Sequence, residues 1–305
     1  MWGKGCPNGH TGNLPFAGSA DSLDGLQKNL LVIGDPIEHS LSPKIHSFVM
    51  EQLGVPYTYQ SVQVKKGELA PFIDRVRSEN IDGFNVTMPH KVDIIEYLDW
   101  IDAEAEYFNS VNTVKNDNGR LCGYSTDGEG FVRSMADVGV TPCDKKILFL
   151  GAGGVVNTLA QKLAMSGARK IVILNRTVET ASNICDILSD RFSINCEFAD
   201  LEFATIGEKI KTADIVINAT PLGMVGVSND WESCEFLKSA PGHALIADLI
   251  YNPRMTKLLS SGKKLGLKTL DGLGMLIYQA LLADEVYLGR TFKFSEIART
   301  LEGTL

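Results

Sequence analysis

The chain has 305 residues, 44% of them hydrophobic and 22% charged, a balance ordinary for a water-soluble globular protein long enough for two domains. No stretch approaches the roughly eighteen consecutive apolar residues of a membrane span. The net charge of -8 argues against a surface for nucleic acid or anionic membrane, because gripping phosphates takes clustered Lys and Arg, so an anionic small molecule would need a local site.

Residues 1–28 are rich in Gly, Asn and Ser and lack the apolar core of a secretory signal, which predicts a mobile leader. The six cysteines, Cys6, Cys122, Cys143, Cys185, Cys196 and Cys234, are scattered, with no C-x-x-C pair and no His at zinc-finger spacing. They are read as reduced and structural. With no export signal and no disulfide pattern, a cytoplasmic location is expected.

From Leu30 onward, short apolar runs alternate with amphipathic stretches, the pattern of βα units around a parallel sheet. LLVIG (Leu30 to Gly34) is the first buried strand. In HSLSPKIHSFVMEQLG, Ser42 is placed to cap a helix with Pro43 at its first position; Ile45, Phe48, Val49 and Leu53 share one face, and Gly54 ends it. YTYQSVQV is a second strand, GELAPFIDRVRS a helix with Leu69, Phe72, Ile73 and Val76 at helical spacing, and IDGFNVT a third strand. That strand runs into NVTMPHK (Asn85 to Lys91), where Pro89 forces the chain out of the ladder and leaves Lys91 in a loop at the end of a rigid element.

A helical segment near Asp102 to Tyr107 precedes SVNTVKNDNGRLCGYST, a hairpin turning at Asn118-Gly119, and TDGEGFVRSMADVG is a linking helix. KKILFLGAGG, KIVILNRT, ADIVINAT and HALIADLI open the successive units of a second α/β domain, and the last 35 residues are helical.

In ILFLGAGGVV an apolar strand meets Gly151, Ala152, Gly153 and Gly154 at the mouth of a helix, the arrangement that lets a pyrophosphate approach backbone N–H groups; a glycine turn serving packing alone is the plain alternative. The third small position of the usual pattern is Val156, which is expected to crowd strand against helix. An NAD-selective site ends its second strand with an acid for the ribose hydroxyls. Here Asn175, Arg176 and Thr177 stand there, and an arginine with a hydroxyl neighbour suits a 2'-phosphate, so NADP is favoured. A solvated loop charge is the plain reading of Arg176. The missing acid also weighs against an S-adenosylmethionine methyltransferase.

GDPIEHSLSPKIH, NVTMPHK, SVNTV, GYSTDGEG, GAGG, NRT, NATPLGM, DLIYNP and GMLIYQA occur in one order, and together they resemble the shikimate dehydrogenase family from about Leu30 to the helix of Gln279. The resemblance implies an α/β protein of two domains, a substrate-binding βαβ domain (29–126 with 272–305) and a Rossmann-type NADP-binding domain (127–271), with the C-terminal helix returning to the first. It implies NADPH-dependent reduction of 3-dehydroshikimate to shikimate in chorismate and aromatic amino-acid biosynthesis, by a monomer or homodimer.

Lys91 and Asp127 match the catalytic pair. An ammonium can stabilise charge growing on a carbonyl oxygen and deliver a proton, while the carboxylate orients it. Ser40 and Ser42 match the family's serines for the substrate carboxylate; helix capping alone would account for Ser42 but not Ser40. Thr87, Asn112 and Gln279 match positions that read ring hydroxyls. Tyr251 matches a position close to nicotinamide and substrate, and Thr220, Met224 and Gly272 to Met275 match segments bordering the nicotinamide.

Three departures stand out. Ser125 replaces the usual Asn of G-x-N-T-D, so the loop presenting Asp127 is expected to be held differently; the other two are Val156 and the absence of a tryptophan after Gln279. His39, His46 and His90 lie near the proposed site without a carboxylate or third ligand at metal-binding spacing, so no metal is expected. Quinate dehydrogenase activity is the near alternative, and a metabolite sensor without catalysis is the distant one.

Overall fold

Strands apolar on both faces need cover on both, and a chain that alternates them with amphipathic helices supplies it. The computed structural model describes residues 27–305, which carry two six-stranded sheets in two compact units. One unit comprises residues 27–126 with Ile277–Leu305, the other Asp127–Leu276. The leader expected over 1–28 lies outside the described residues up to residue 26. At its end Lys28 already belongs to the first strand, paired with Tyr57.

The first unit runs β1 (Lys28–Gly34), α1 (Ser42–Leu53), β2 (Tyr57–Gln63), α2 (Leu69–Ser78), β3 (Gly83–Val86), β4 (Trp100–Ile101), α3 (Ala103–Phe108), β5 (Thr113–Asp117) and β6 (Arg120–Tyr124). Its sheet order is β2-β1-β3-β5-β6-β4, with β1 parallel to β2 and β3, and β5 antiparallel to both its neighbours. The hairpin turns as expected at Asn118 (φ 54) and Gly119 (φ 92), the paired positive angles of a type I' turn. Gly54, at φ 65, ends α1.

The second unit contains α4 (Asp127–Asp137), β7 (Lys146–Leu150), α5 (Gly154–Met165), β8 (Lys170–Leu174), α6 (Val178–Phe192), β9 (Asn195–Ala199), α7 (Phe203–Lys209), β10 (Ile215–Asn218), β11 (Leu245–Asp248), α8 (Lys257–Lys264) and β12 (Lys268–Leu270). Its all-parallel order, β12-β11-β10-β7-β8-β9, reverses direction between β7 and β10, the switch point where doubly wound sheets open a crevice. Val156 does not disturb this junction. It is fully buried among Ile147, Phe149 and Leu159, and α5 begins regularly from Gly154. Burying such a side chain contributes about 1.5–3 kcal/mol.

The chain closes with α9 (Gly272–Leu288) and α10 (Phe294–Thr304). In the first unit, α9 lays Ala283 and Tyr287 against Leu30, Val32 and Met50. Tyr287 packs directly on β3 because Gly83 has no side chain: a Cβ there would lie 2.6 Å from the tyrosine ring.

One expectation is corrected. Cys185 and Cys196, read as reduced, form a disulfide. The cause is local: α6 stops at Ser193 in a left-handed turn (φ 50) and the chain reverses into β9, so the two Cα atoms come to 5.2 Å. Cys143, also read as reduced, is disulfide-bonded as well; Cys122 and Cys234 are free thiols, and Cys6 lies outside the described residues. Among the described residues no helix is long and apolar enough to cross a membrane.

Candidate active site

Lys91 sits on the turn that follows β3, as the proline predicts. The strand ends at Val86; Thr87 N–H still donates to Ile33 O (2.9 Å), and Gly34 admits Thr87, since a Cβ on Gly34 would meet its methyl at 2.4 Å. His90 then anchors the turn: its ring is fully buried with Nε2 2.6 Å from Val64 O, and its backbone N–H donates to Thr87 O at 3.0 Å. Val111 N–H donates to Lys91 O at 2.8 Å, so the lysine backbone is held while its side chain is half-buried. His90 thereby holds the turn in place through its ring.

Ser40, rather than Ser42, makes the side-chain bond at the start of α1. The helix starts at Ser42 itself, after Leu41, and the Ser40 hydroxyl accepts the Ser42 N–H at 3.2 Å. Ser40 is the turn-forming residue; the Ser42 side chain makes no cap and is buried at 8% exposure.

Asn112 and Gln279 are brought together from positions far apart in sequence. Asn112 Nδ2 donates to Gln279 Oε1 (3.2 Å) and to Thr126 Oγ1 (2.8 Å), while its Oδ1 accepts Thr126 N–H (2.8 Å). Thr126 Oγ1 in turn donates to Gln279 O at 2.9 Å. Thr126, rather than the residue before it, therefore fixes the loop leading to Asp127. Ser125 Oγ is buried without a hydrogen-bond partner among the described residues. Asp127 opens α4 at 5% exposure, where the helix N-terminus favours a carboxylate.

Residues that the motif reading passed over complete this set. Asn85 Nδ2 donates to Asn112 O and Thr113 Oγ1, both at 3.2 Å, and Asn85 Oδ1 accepts from the Tyr59 hydroxyl at 2.7 Å. Asn85 was visible as the polar residue inside an apolar strand; Tyr59 carried no signal, since a strand tyrosine is ordinary.

In the second unit, Gly151 turns at φ 101, a conformation favoured by glycine, and a Cβ there would lie 2.9 Å from Thr220 Cγ2. At Gly154 a Cβ would meet nothing within 4 Å, so the helix mouth is open where a pyrophosphate needs backbone N–H groups. Asn175 Oδ1 accepts Ala152 N–H (3.1 Å), which ties the end of β8 to the glycine turn. Arg176 and Thr177 are exposed beyond it, and among the described residues Arg176 has no ion-pair partner.

A buried carboxylate holds the remaining cofactor-side segments. Asp248 Oδ1 accepts from Asn218 Nδ2 (3.0 Å) and Ile250 N–H (3.1 Å), and Oδ2 from Thr256 Oγ1 (2.7 Å). Asn218 Oδ1 accepts the N–H (3.1 Å) and hydroxyl (2.7 Å) of Thr220. Burial pushes Asp248 up to about 6, against the pull of these bonds. Val225 N–H donates to Asn252 O (3.0 Å), so exposed Met224 and half-buried Tyr251 belong to one connected surface. Burial raises the Tyr251 phenol. Gly272 lets α9 touch this segment: a Cβ would lie 2.3 Å from Leu249 O, and Gly272 N–H donates to Ile250 O.

Comparison with known proteins matches residues 32–114 to the shikimate dehydrogenase substrate-binding domain and residues 136–271 to shikimate/quinate 5-dehydrogenase. A shikimate dehydrogenase (NADP(+)) of Alkaliphilus oremlandii is 39% identical over 271 residues, 88% of this chain and 94% of that protein. The shikimate 5-dehydrogenase of Listeria monocytogenes, solved with shikimate and NAD, has a TM-score of 0.82 at 31% identity and covers 90% of this chain and 96% of its own. That of Thermus thermophilus, solved with NADP(H) and shikimate, has a TM-score of 0.78 at 30% identity, with 91% and 100% covered.

Proposed function

Since the chain belongs to the shikimate dehydrogenase family, we propose that it reduces 3-dehydroshikimate to shikimate with NADPH, reversibly, in aromatic amino-acid biosynthesis. The observation that carries the substrate side is the buried Asn112–Gln279 pair at 3.2 Å, a fixed set of donors and acceptors suited to ring hydroxyls. On the cofactor side, Arg176 and Thr177 are assigned to the 2'-phosphate and residues 151–154 to the pyrophosphate.

The nicotinamide, when bound, supplies or accepts the hydride. Lys91 is assigned to the carbonyl oxygen, where its ammonium offsets the growing negative charge and passes a proton; in the reverse direction its neutral amine takes that proton back. Asp127 is assigned to hold the ammonium and a neighbouring hydroxyl. Ser40 and Ser42 bind the carboxylate without adding net charge, and Thr87 joins Asn112 and Gln279 at the hydroxyls. Tyr251, Thr220, Met224 and Gly272 border the nicotinamide. The same reading makes the chain a cytoplasmic monomer or homodimer without nucleic-acid partners, its domain boundaries near 126 and 272.

Loss of absorbance at the reduced-nicotinamide band is the test, with 3-dehydroshikimate against NADPH and NADH, and the reverse assay with shikimate and quinate. Preferred turnover of 3-dehydroshikimate with NADPH supports the reading. Equal or better turnover of quinate, or no oxidation of NADPH, overturns it.

A further inference from the structure

A covalent tie in the second unit lies outside the catalytic reading. Cys185 of α6 and Cys196 of β9 are disulfide-bonded, their Cα atoms 5.2 Å apart. Cys185 is in the core at 3% exposure, whereas Cys196 is half-buried on β9, the edge strand, which pairs with β8 alone. The two elements so joined flank the residues assigned to the 2'-phosphate. α6 begins at Val178, directly after Arg176 and Thr177, and the far end of β9 holds the start of the same loop, where Asn175 N–H donates to Ala199 O at 3.1 Å. Asn175 Nδ2 closes the loop by donating to Thr177 O at 2.9 Å.

The helix does not depend on this bond for its fold, since Ala181, Ile184 and Leu188 already seat it in the apolar cluster of Ile171 and Ile173. The strand has less to hold it. None of its five residues is fully buried, one of its edges is unpaired, and an ion pair as exposed as that of Glu197 with Lys170 contributes little. Segments with so few buried contacts are those that open locally in a folded protein. A disulfide in a chain read as cytoplasmic belongs, as a class, to exchange and sensing sites rather than to permanent staples.

We propose that Cys185–Cys196 is a thiol–disulfide exchange site through which a dithiol sets the affinity for NADP. A thiolate of the dithiol attacks the Cys196 sulfur, because Cys185 is enclosed by the core. The Cys185–Cys196 bond breaks, and Cys185 leaves as a thiolate that takes a proton. The second thiol then attacks the mixed disulfide, releases Cys196 and closes the reagent's own disulfide, so two electrons and two protons pass from dithiol to protein. With the bond closed, α6 and β9 hold the 175–177 loop from both ends. With it open, β9 is free to move without α6, and Arg176 and Thr177 must be ordered as the phosphate binds, a cost that falls on NADP and not on NAD. This inference rests on the assignment of Arg176 and Thr177 to the 2'-phosphate and on the cytoplasmic reading.

Alkylation and peptide mapping of the protein isolated without reductant, before and after dithiothreitol under native conditions, read the state of the bond; steady-state kinetics on the same samples read its effect. Reduction of Cys185 and Cys196 in the folded protein is expected to raise KM for NADP+ about three- to tenfold, with KM for NAD+ held within about twofold. A bond absent from the untreated protein, a bond that opens only on unfolding, an unchanged KM for NADP+, or an equal rise for both dinucleotides overturns the proposal. Cys143 is disulfide-bonded too, and Cys185→Ala/Cys196→Ala separates its contribution. The double variant is expected to show the raised KM without reductant and no further change with it, and retained sensitivity overturns the assignment to this pair. Should it not fold, the wild-type samples decide, since mapping follows each cysteine separately as dithiothreitol is raised in steps. Reduced thioredoxin in place of dithiothreitol distinguishes the sources: faster opening points to a protein dithiol and slower opening to a small one, and either supports exchange. If Arg176→Ala leaves KM for NADP+ unchanged, the 2'-phosphate assignment has failed and the inference with it; if Arg176→Ala raises it and reduction does not, only the exchange role has failed.

Discussion

Lys91 is held at its backbone by Val111 and by the buried His90 beside it, so substitution of its side chain leaves the turn intact. Lys91→Ala is therefore expected to bind NADPH normally and to lose about 10²–10⁴-fold in kcat, the range of a single general acid. Fluorescence titration with NADPH and single-turnover absorbance separate the two effects; unaltered kcat would remove Lys91 from the chemistry. Arg176→Ala belongs to the same scale. An exposed guanidinium that serves only the 2'-phosphate predicts a KM for NADP+ raised about tenfold or more, with KM for NAD+ unchanged. An equal rise for both dinucleotides would assign Arg176 to something the two share. These residues were legible because short motifs carry them. Tyr59 was not, and Asn85 showed only as a polar residue inside an apolar strand, because their partners lie 26 and 27 positions away, and pairing at that distance leaves no local pattern.

At the scale of elements, the sequence read well wherever one segment decides its own geometry. Asn118-Gly119 fixes the hairpin and Gly54 the end of α1, and β1 to β3 alternate with helices as the apolar periodicity requires. It read less well where two segments share the decision. The start of α1 slipped to Ser42 itself: its own N–H is taken by the Ser40 hydroxyl, and its side chain makes no cap. The Cys185–Cys196 bond depends on a reversal at Ser193, a non-glycine residue with positive φ that turn statistics do not flag. Gly83 is the clearest shared case, since its role appears only once α9 is laid across β3. Gly83→Ala would place a methyl 2.6 Å from the Tyr287 ring and 2.8 Å from Val114 O, and the backbone oxygen cannot swing aside. A loss of about 1–3 kcal/mol in urea unfolding is expected; unchanged stability would mean that α9 can slide on the sheet.

The molecule as a whole is acidic, with a net charge of -8, yet its carboxylates respond to pH in opposite senses. The Leu121 N–H holds Asp99, and Lys170 holds Glu197, below the usual carboxylate range. Both favour the folded state above their unfolded pKa values of about 4 and lose that contribution as pH falls through the folded ones. Asp248 runs the other way. Its folded pKa of about 6 lies above the unfolded value near 3.9, so the native state binds the extra proton between them, and stability declines as pH rises from about 4 to about 6. The difference corresponds to roughly 3 kcal/mol, all of it given up by neutral pH. Burial pushes Asp284 in the same direction, partly offset by His46. Guanidinium unfolding at successive pH values is therefore expected to show greatest stability in mild acid, and Asp248→Asn, which cannot ionise, to flatten the decline between pH 4 and 6 while leaving the acid limb set by Asp99 and Glu197 in place. An undiminished slope in Asp248→Asn would mean that the carboxylate pinning Asn218, Ile250 and Thr256 stays ionised in the folded protein throughout that range, its three accepted bonds outweighing its burial.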